Sequence, residues 1–142
     1  MITIDLTTTS KKKDVLAFLQ ELTAILDSKE FDSDSDFVLI QKEKPGKEKF
    51  STIYTINDLG FDISNVVSMI KELTVEDYSE SKIDTDNLNP PLLVVFGKRI
   101  NKKLVYIKLK IKEKPTKRIV CVSFHYAENE MEFPYMHKEV KR

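Results

Sequence analysis

The stretch "LVYIKLKIKEKPTKRIVCVSFHYA", residues 104–127, alternates apolar and polar residues in two runs that are separated by a proline. Such alternation is typical of β-strands, whose successive side chains point to opposite faces of a sheet. In the first run the apolar residues are Val105, Ile107, Leu109 and Ile111, and the polar residues are Tyr106, Lys108, Lys110 and Lys112. In the second run Val120, Val122 and Phe124 alternate with Cys121, Ser123 and His125. The stretch therefore predicts a β-hairpin with one apolar face and one face of tyrosine, lysine and histidine.

The register of this hairpin follows from its turn. Pro115 favours the second position of a type I turn, which places the turn at Lys114–Lys117. The cross-strand pairs are then Tyr106–His125, Lys108–Ser123, Lys110–Cys121, Leu109–Val122 and Ile107–Phe124. Opposed side chains lie about 4.5–5.5 Å apart at their Cβ atoms, so Tyr106 and His125 could contact one phosphate.

The rest of the chain predicts a single α+β domain over residues 1–142, with an antiparallel sheet packed against two or more helices. A helix is predicted over residues 10–28, because Ser10 can cap it and an apolar stripe follows at helical spacing. The stripe consists of Val15, Phe18, Leu19, Leu22, Ile25 and Leu26. A second helix is predicted from Ser64 to Leu73, with Asp62 as its cap. Further strands are predicted at residues 2–6, at residues 37–41 and from about Leu92.

The charge is zero overall but unevenly distributed along the chain. Residues 97–118 contain ten lysines and arginines and one acidic residue, whereas residues 1–96 contain ten basic and 18 acidic residues. A basic hairpin suits a polyanion such as RNA, because phosphates attract lysine and arginine whatever their sequence. Alternatively, the lysines only keep an exposed sheet edge soluble.

Other classes of site find little support. Asp32, Asp34 and Asp36 are spaced like the start of a calcium loop, but Phe37 stands where the sharp bend requires glycine. Cys121, His125 and His137 lack a compact zinc spacing, and three glycines do not form a phosphate loop. We therefore predict no metal and no cofactor. No apolar run reaches about 18 residues and no signal-peptide core is visible, so we expect no membrane segment and a cytoplasmic location.

Two segments resemble a known family. They are "DLGFDISNVVSMIKELTVEDYSES" and "LLVVFGKRINKKLVYIKLKIKEKPTKRIVCVSFH", which are similar to the MqsR family of ribonuclease toxins from bacterial type II toxin–antitoxin systems. The shared features are the "LG(F/L)D" entry to a helix, an "L(T/S)xxD(F/Y)" exit, a "VYxK" strand and a terminal "VSF" strand. The resemblance covers about residues 52–125, so that residues 126–142 stand as a C-terminal extension.

The resemblance implies a RelE-like α+β fold and a metal-independent endoribonuclease, or mRNA interferase. Its substrate would be single-stranded mRNA and its protein partner a cognate antitoxin. The family tyrosine of "VYxK" falls on Tyr106, and His125 replaces the family lysine after "SF". Another family lysine falls near Glu80, so that Lys82 could take its role only with a shift of two residues. The family glutamine before the third strand has no equivalent here.

Cleavage by attack of a ribose 2′-hydroxyl needs a base, an acid and stabilisation of the phosphoryl oxygens. We assign catalysis to Tyr106, His125, Lys82 and Lys108, with His125 as the proton-transfer group because imidazole titrates near neutral pH. RNA binding is assigned to Lys98, Arg99, Lys102, Lys103 and Lys110, and Arg99 could also stabilise phosphoryl charge. His125 could instead position RNA or be an ordinary exposed strand residue. For the whole chain, the alternatives are a non-catalytic RNA-binding module and a protein-interaction component of a toxin–antitoxin or phage-related system.

Overall fold

The computed structural model describes residues 7–83, 92–113 and 115–137. The predicted strand at residues 2–6 and Lys114 of the predicted turn lie outside the described residues. The strands are β1 Thr7–Thr8, β2 Phe37–Leu39, β3 Tyr78–Lys82, β4 Leu93–Ile100, β5 Lys103–Lys112 and β6 Arg118–Tyr126. The helices are α1 Lys12–Leu26, α2 Thr52–Leu59 and α3 Ile63–Lys71, with 3-10 turns at Glu48–Phe50 and Val75–Asp77. No helix in these ranges is both long and apolar enough to cross a bilayer.

The described strands form one sheet in the order β1-β3-β4-β5-β6-β2. The pairs among β1, β3, β4, β5 and β6 are antiparallel, whereas β2 is parallel to β6. The predicted α+β domain is therefore confirmed, but the prediction of a wholly antiparallel sheet is wrong at β2. β2 is far from β6 along the chain, so no hairpin turn dictates its direction.

One face of the sheet, here called the helix face, carries the core under α1 and α3. Val15, Leu22 and Leu26 of α1 are buried there, and the other three residues of the predicted stripe pack against them. The predicted cap of this helix is wrong: Lys11 is the N-cap residue and makes no side-chain capping bond. Ser10 instead shares a hydrogen bond of 2.7 Å with the hydroxyl of Ser81 in β3, so it ties α1 to the sheet.

The second predicted helix is α3, and its predicted cap is confirmed. The Asp62 carboxylate accepts from the Asn65 backbone N–H at 3.0 Å, and the Asn65 side chain accepts from the Asp62 N–H at 2.9 Å. This reciprocal capping satisfies two backbone donors that the first turn would otherwise leave unpaired.

Helix α2 was not predicted, since it is only eight residues long. It lies beside β6 beyond the end of β2, where the hydroxyls of Thr52 and Thr55 accept from the backbone N–H groups of Phe124 and Tyr126 at 3.2 and 3.0 Å. The helix therefore supplies acceptors to a strand edge that β2 does not reach.

The hairpin register is confirmed on one side of a β-bulge and wrong on the other. Tyr106–His125, Ile107–Phe124 and Lys108–Ser123 pair as predicted. A register shift after Lys108 then pairs Leu109 with Cys121 and Lys110 with Val120. An extra residue in one strand reverses the side-chain alternation locally. As a result Cys121 is fully buried in the core, whereas Val122, predicted to lie in the core, is only partly buried.

Residues 127–137, here called the C-terminal segment, fold back onto the sheet. A Cβ atom added to Gly97 would lie 2.7 Å from Cζ of Phe133, so the segment touches the backbone of β4. Further along, the Tyr135 ring stacks on Tyr78 with 5.8 Å between centroids, and its hydroxyl donates to the Ser10 carbonyl at 2.6 Å. The described part of the predicted extension is thus an integral part of the domain.

Candidate functional site

A cleft of about 800 Å³ lies on the face of the sheet opposite α1 and α3, here called the cleft face. Its floor includes residues of β3, β5 and β6, and the loop after β2 and the C-terminal segment supply its walls. Tyr106, His125, Lys82 and Lys108, the four predicted catalytic residues, all line it. Three strands therefore bring together side chains that were predicted from two separate stretches of the sequence.

Tyr106 and His125 form the centre of the cleft floor. They are directly paired across β5 and β6, and their rings stack with 5.0 Å between centroids and an angle of 11° between planes. Only 7% of His125 is exposed to solvent, so it is not an ordinary exposed strand residue. The pairing of two central strands and the stacked tyrosine hold the imidazole in one orientation.

The hydrogen bonds of His125 define its tautomer. Nδ1 lies 2.9 Å from the Tyr126 carbonyl oxygen, which can only accept, so Nδ1 carries a proton. Nε2 lies 3.2 Å from the ammonium of Lys44, which donates to the lone pair of the neutral ring. This arrangement leaves Nε2 as the basic nitrogen.

The surroundings of His125 favour its neutral form. Burial is the main cause that lowers the imidazole pKa below 6.5, and the charges of Lys44 and Lys108 lower it further. The hydrogen bond to the Tyr126 carbonyl and the charge of Glu128 act in the opposite direction but do not outweigh them. His125 is therefore an unprotonated base at neutral pH.

Neither Lys44 nor Glu128 was predicted from the sequence to belong to the site. Glu128 forms ion pairs with Lys44 at 3.6 Å and with Lys47 at 3.3 Å. These two ion pairs connect the loop after β2 to the C-terminal segment. Lys44 and His125 are 81 residues apart, and "EKPGKEK" around Lys44 has the composition of a turn. No local pattern indicates that this lysine reaches the hairpin.

The charge of the cleft is balanced. Its lining includes four lysines and four glutamates, namely Lys42, Lys44, Lys82, Lys108, Glu80, Glu128, Glu130 and Glu132. Lys82 is paired with Glu80 at 3.5 Å, and the Lys108 ammonium lies 6.0 Å from the centroid of the Tyr106 ring. A phosphate would therefore be attracted by individually placed cations rather than by a strongly positive cleft.

The predicted RNA-binding residues are not gathered into one patch. Lys98 forms an ion pair with Glu72 at 3.9 Å, next to α3. Lys103 lies 3.7 Å from the Asp58 carboxylate of α2 and 4.7 Å from the centroid of the Tyr126 ring. These two lysines thus lie towards the helix face, away from Tyr106.

The other three predicted RNA-binding residues lie elsewhere in the hairpin region. Arg99 and Lys102 are exposed near the β4–β5 turn, where Lys102 adopts a left-handed backbone conformation with φ 70°. Lys110 is paired with Val120, beyond the bulge. None of the five predicted RNA-binding residues lines the cleft.

Cys121 and two of the aspartates considered as calcium ligands have structural roles. Burial strongly raises the pKa of the Cys121 thiol, so that it stays protonated. Asp32 and Asp36 accept from backbone N–H groups of their own loop at 2.9 Å. Across the described ranges, no three His, Cys, Asp or Glu side chains are grouped so that they could hold a metal ion.

Comparisons with protein-family models, curated proteins and solved structures found no significant match to this chain. The resemblance to the MqsR family therefore stays a prediction, and the function must be argued from the cleft itself.

Proposed function

We propose that the cleft binds single-stranded RNA and cleaves it by attack of a ribose 2′-hydroxyl on the adjacent phosphate, without a metal. One observation carries this proposal. A neutral, oriented imidazole, a tyrosine and two lysines line the same cleft, and these are the groups that such a reaction needs.

The geometry of the site supports one assignment of roles. The 2′-oxygen attacks phosphorus as its proton passes to Nε2 of His125, the basic nitrogen of the ring. The hydroxyl of Tyr106, whose ring stacks on the imidazole, donates to a phosphoryl oxygen, and Lys108 or Lys82 stabilises the developing charge. The bond from phosphorus to the 5′-oxygen then breaks on the side opposite the attack, where the leaving oxygen takes its proton from water, and the imidazolium afterwards releases its proton to solvent. The products are a 2′,3′-cyclic phosphate and a free 5′-hydroxyl.

This proposal extends to the setting in which the protein acts. Such a ribonuclease would act on mRNA in the cytoplasm as the toxin of a toxin–antitoxin pair, with its antitoxin as protein partner. Growth arrest on expression alone, relieved by co-expression of the product of an adjacent small gene, would support that setting. Unimpaired growth at high expression of the folded protein would contradict it.

The activity is tested with purified protein and a defined single-stranded RNA in excess EDTA. We expect discrete cleavage sites whose upstream fragments end in a 2′,3′-cyclic phosphate. The control is the His137→Ala variant. His137 is the other histidine of the chain and does not line the cleft, so this variant should cleave RNA like the unmodified protein. Intact RNA after incubation with saturating protein would contradict the proposal.

A non-catalytic RNA-binding module is the second candidate, and one observation favours it. The basic nitrogen of His125 is already hydrogen-bonded to Lys44, and the ring is almost wholly buried. In that case RNA would bind with a salt-dependent affinity and remain intact. The remaining alternative, a protein-interaction component, predicts neither binding nor cleavage in the same assay.

A further inference from the structure

We propose that Lys44 is a positioning residue that occupies Nε2 of His125 in the free protein and is drawn away by a phosphate of the bound substrate. Glu128 holds Lys44 in that place. The inference rests on the proposed function, because it concerns how the base of that reaction becomes available. It would make the base of the cleft active only when a phosphate is present.

The contact itself is specific. The Lys44 ammonium lies 3.2 Å from Nε2, the one ring nitrogen that can accept a proton, because Nδ1–H is bonded to the Tyr126 carbonyl. The Tyr106 ring covers one side of the imidazole, and the ring is nearly inaccessible to water. The Lys44 ammonium is therefore hydrogen-bonded to the lone pair that would have to accept the proton of a 2′-hydroxyl.

The anchor of Lys44 is the carboxylate of Glu128, and this anchor does not prevent Lys44 from leaving Nε2 of His125. Lys44 comes from the loop that follows β2, and Glu128 comes from the C-terminal segment on the other wall of the cleft. Glu128 is also bonded to Lys47 at 3.3 Å, so it keeps a cationic partner when Lys44 turns to a phosphate. An incoming phosphate would replace both partners of the Lys44 ammonium, the neutral nitrogen and the Glu128 carboxylate at 3.6 Å, with an anion that can accept several charge-assisted hydrogen bonds.

The charged groups around the imidazole determine what a change at Lys44 should do. They are Lys44 from the loop after β2, Lys108 from β5 and Glu128 from the C-terminal segment. The two lysines lower the pKa of His125 and Glu128 raises it, while the Tyr126 carbonyl of β6 supports the protonated ring. Loss of Lys44 removes a repulsive charge and also a hydrogen bond that only the neutral ring can accept, so both effects raise the pKa.

The first measurement is an NMR titration of the two histidine rings, for which His137 serves as internal reference. Lys44→Met should raise the pKa of His125, and Glu128→Gln should lower it. Lys42→Met is the matched control, since Lys42 lines the same cleft but is not one of the charged groups that shift the pKa of His125, and it should leave that pKa unchanged. An unchanged or lower pKa in Lys44→Met, or an equal rise in Lys42→Met, would overturn the inference.

The second measurement adds a single-stranded 2′-deoxy oligonucleotide, which offers phosphates but cannot be cleaved by 2′-hydroxyl attack. At saturation the pKa of His125 should rise in the unmodified protein, because Lys44 leaves Nε2 and an anion approaches the ring. The rise should be smaller in Lys44→Met, where no lysine has to leave. A bound oligonucleotide that leaves the pKa of His125 unchanged would refute release by phosphate.

The two proposals fail separately in these experiments. RNA that stays intact in every assay contradicts the ribonuclease, whereas the placement of Lys44 on Nε2 is judged by the titration of the free protein alone. An oligonucleotide that does not bind contradicts both the RNA proposal and release by phosphate. If cleavage occurs, the acidic limb of kcat/KM should move to higher pH in Lys44→Met and stay in place in Lys42→Met.

Discussion

The rings of Tyr106 and His125 lie face to face across two central strands, with 5.0 Å between centroids and an angle of 11° between planes. The stack shields the imidazole from water, and the bond from Nδ1 to the Tyr126 carbonyl directs Nε2 towards Lys44. Because both side chains line the same cleft, we expect one phosphate bound there to contact both.

If this pair performs the proposed cleavage, His125→Ala should slow it by about 10²-fold or more, because a proton-transfer group is lost. Tyr106→Phe keeps the stacked ring and removes only the hydroxyl, so it should cost about 1–3 kcal/mol in transition-state stabilisation. The measurement is kcat/KM on a defined RNA.

The double variant tests whether both residues act on one phosphate. Its loss should be smaller than the product of the two single losses, since residues in contact are coupled. Strict multiplicativity would argue against a shared site. Full activity of His125→Ala would exclude histidine catalysis.

The salt dependence of RNA binding should show whether RNA binds to the cleft face or to the helix face. Lys108→Gln should reduce the slope of log K against log salt by about 0.7, the contribution of one neutralised phosphate on a single strand. Lys103→Gln should leave the slope unchanged, because this lysine is engaged with Asp58 and Tyr126 near α2. A smaller slope in Lys103→Gln and not in Lys108→Gln would move the RNA to the helix face.

The burial of His125 predicts a loss of stability in weak acid. The unfolded chain takes up a proton near pH 6.5, whereas the folded protein does so only at lower pH, because the pKa is lowered. The contribution of the neutral His125 ring to the free energy of unfolding is therefore complete above pH 6.5, and it decreases as the pH falls towards the pKa of the folded protein.

Urea unfolding at several pH values between 7.5 and 5 measures this effect. His125→Gln should flatten the dependence of the unfolding free energy on pH in that window. An equal slope in the unmodified protein and in His125→Gln would show that the imidazole is not desolvated in solution.

The bulge in β6 predicts opposite results for two neighbouring apolar residues. Phe124→Ala should cost about 3–5 kcal/mol, because the ring is fully buried on the helix face and its loss leaves a cavity. Val122→Ala should cost at most about 1.5 kcal/mol, because Val122 lines the cleft and is only partly buried. Chemical denaturation of both variants provides the comparison, and equal losses would contradict the bulge.

Gly97→Ala should loosen the C-terminal segment. The new Cβ would lie 2.7 Å from Cζ and 2.9 Å from Cε1 of Phe133, so the Phe133 ring must move. We expect this overpacking to lower the free energy of unfolding by about 1–3 kcal/mol. Hydrogen exchange in the segment should rise while the strands keep their protection. Combining the change with Phe133→Ala should cost less than the two single losses together. Strict additivity would show that the segment does not rest on Gly97.

The sequence by itself determined the features that depend on neighbours along the chain. The pairing of Tyr106 with His125 was predicted from strand alternation, but its agreement with the structure depends on the bulge, because the register beside the turn is one residue off. By contrast, the apolar stripe of α1 and the capping of α3 by Asp62 follow from helical spacing and local capping chemistry. These interactions join residues that are close in sequence, so they can be predicted from the amino-acid sequence.

Only the tertiary structure decided the features that join distant segments. The parallel pairing of β2, the bulge that moves Cys121 into the core, and the contact of Lys44 with His125 have no local signal. The same holds for the C-terminal segment, which appeared to be an extension and instead forms a wall of the cleft. The physical reason is that burial and packing choose among many long-range pairings of similar local propensity. Four proposed catalytic side chains could thus be named from the sequence, but the lysine that lies on the basic nitrogen of His125 could not.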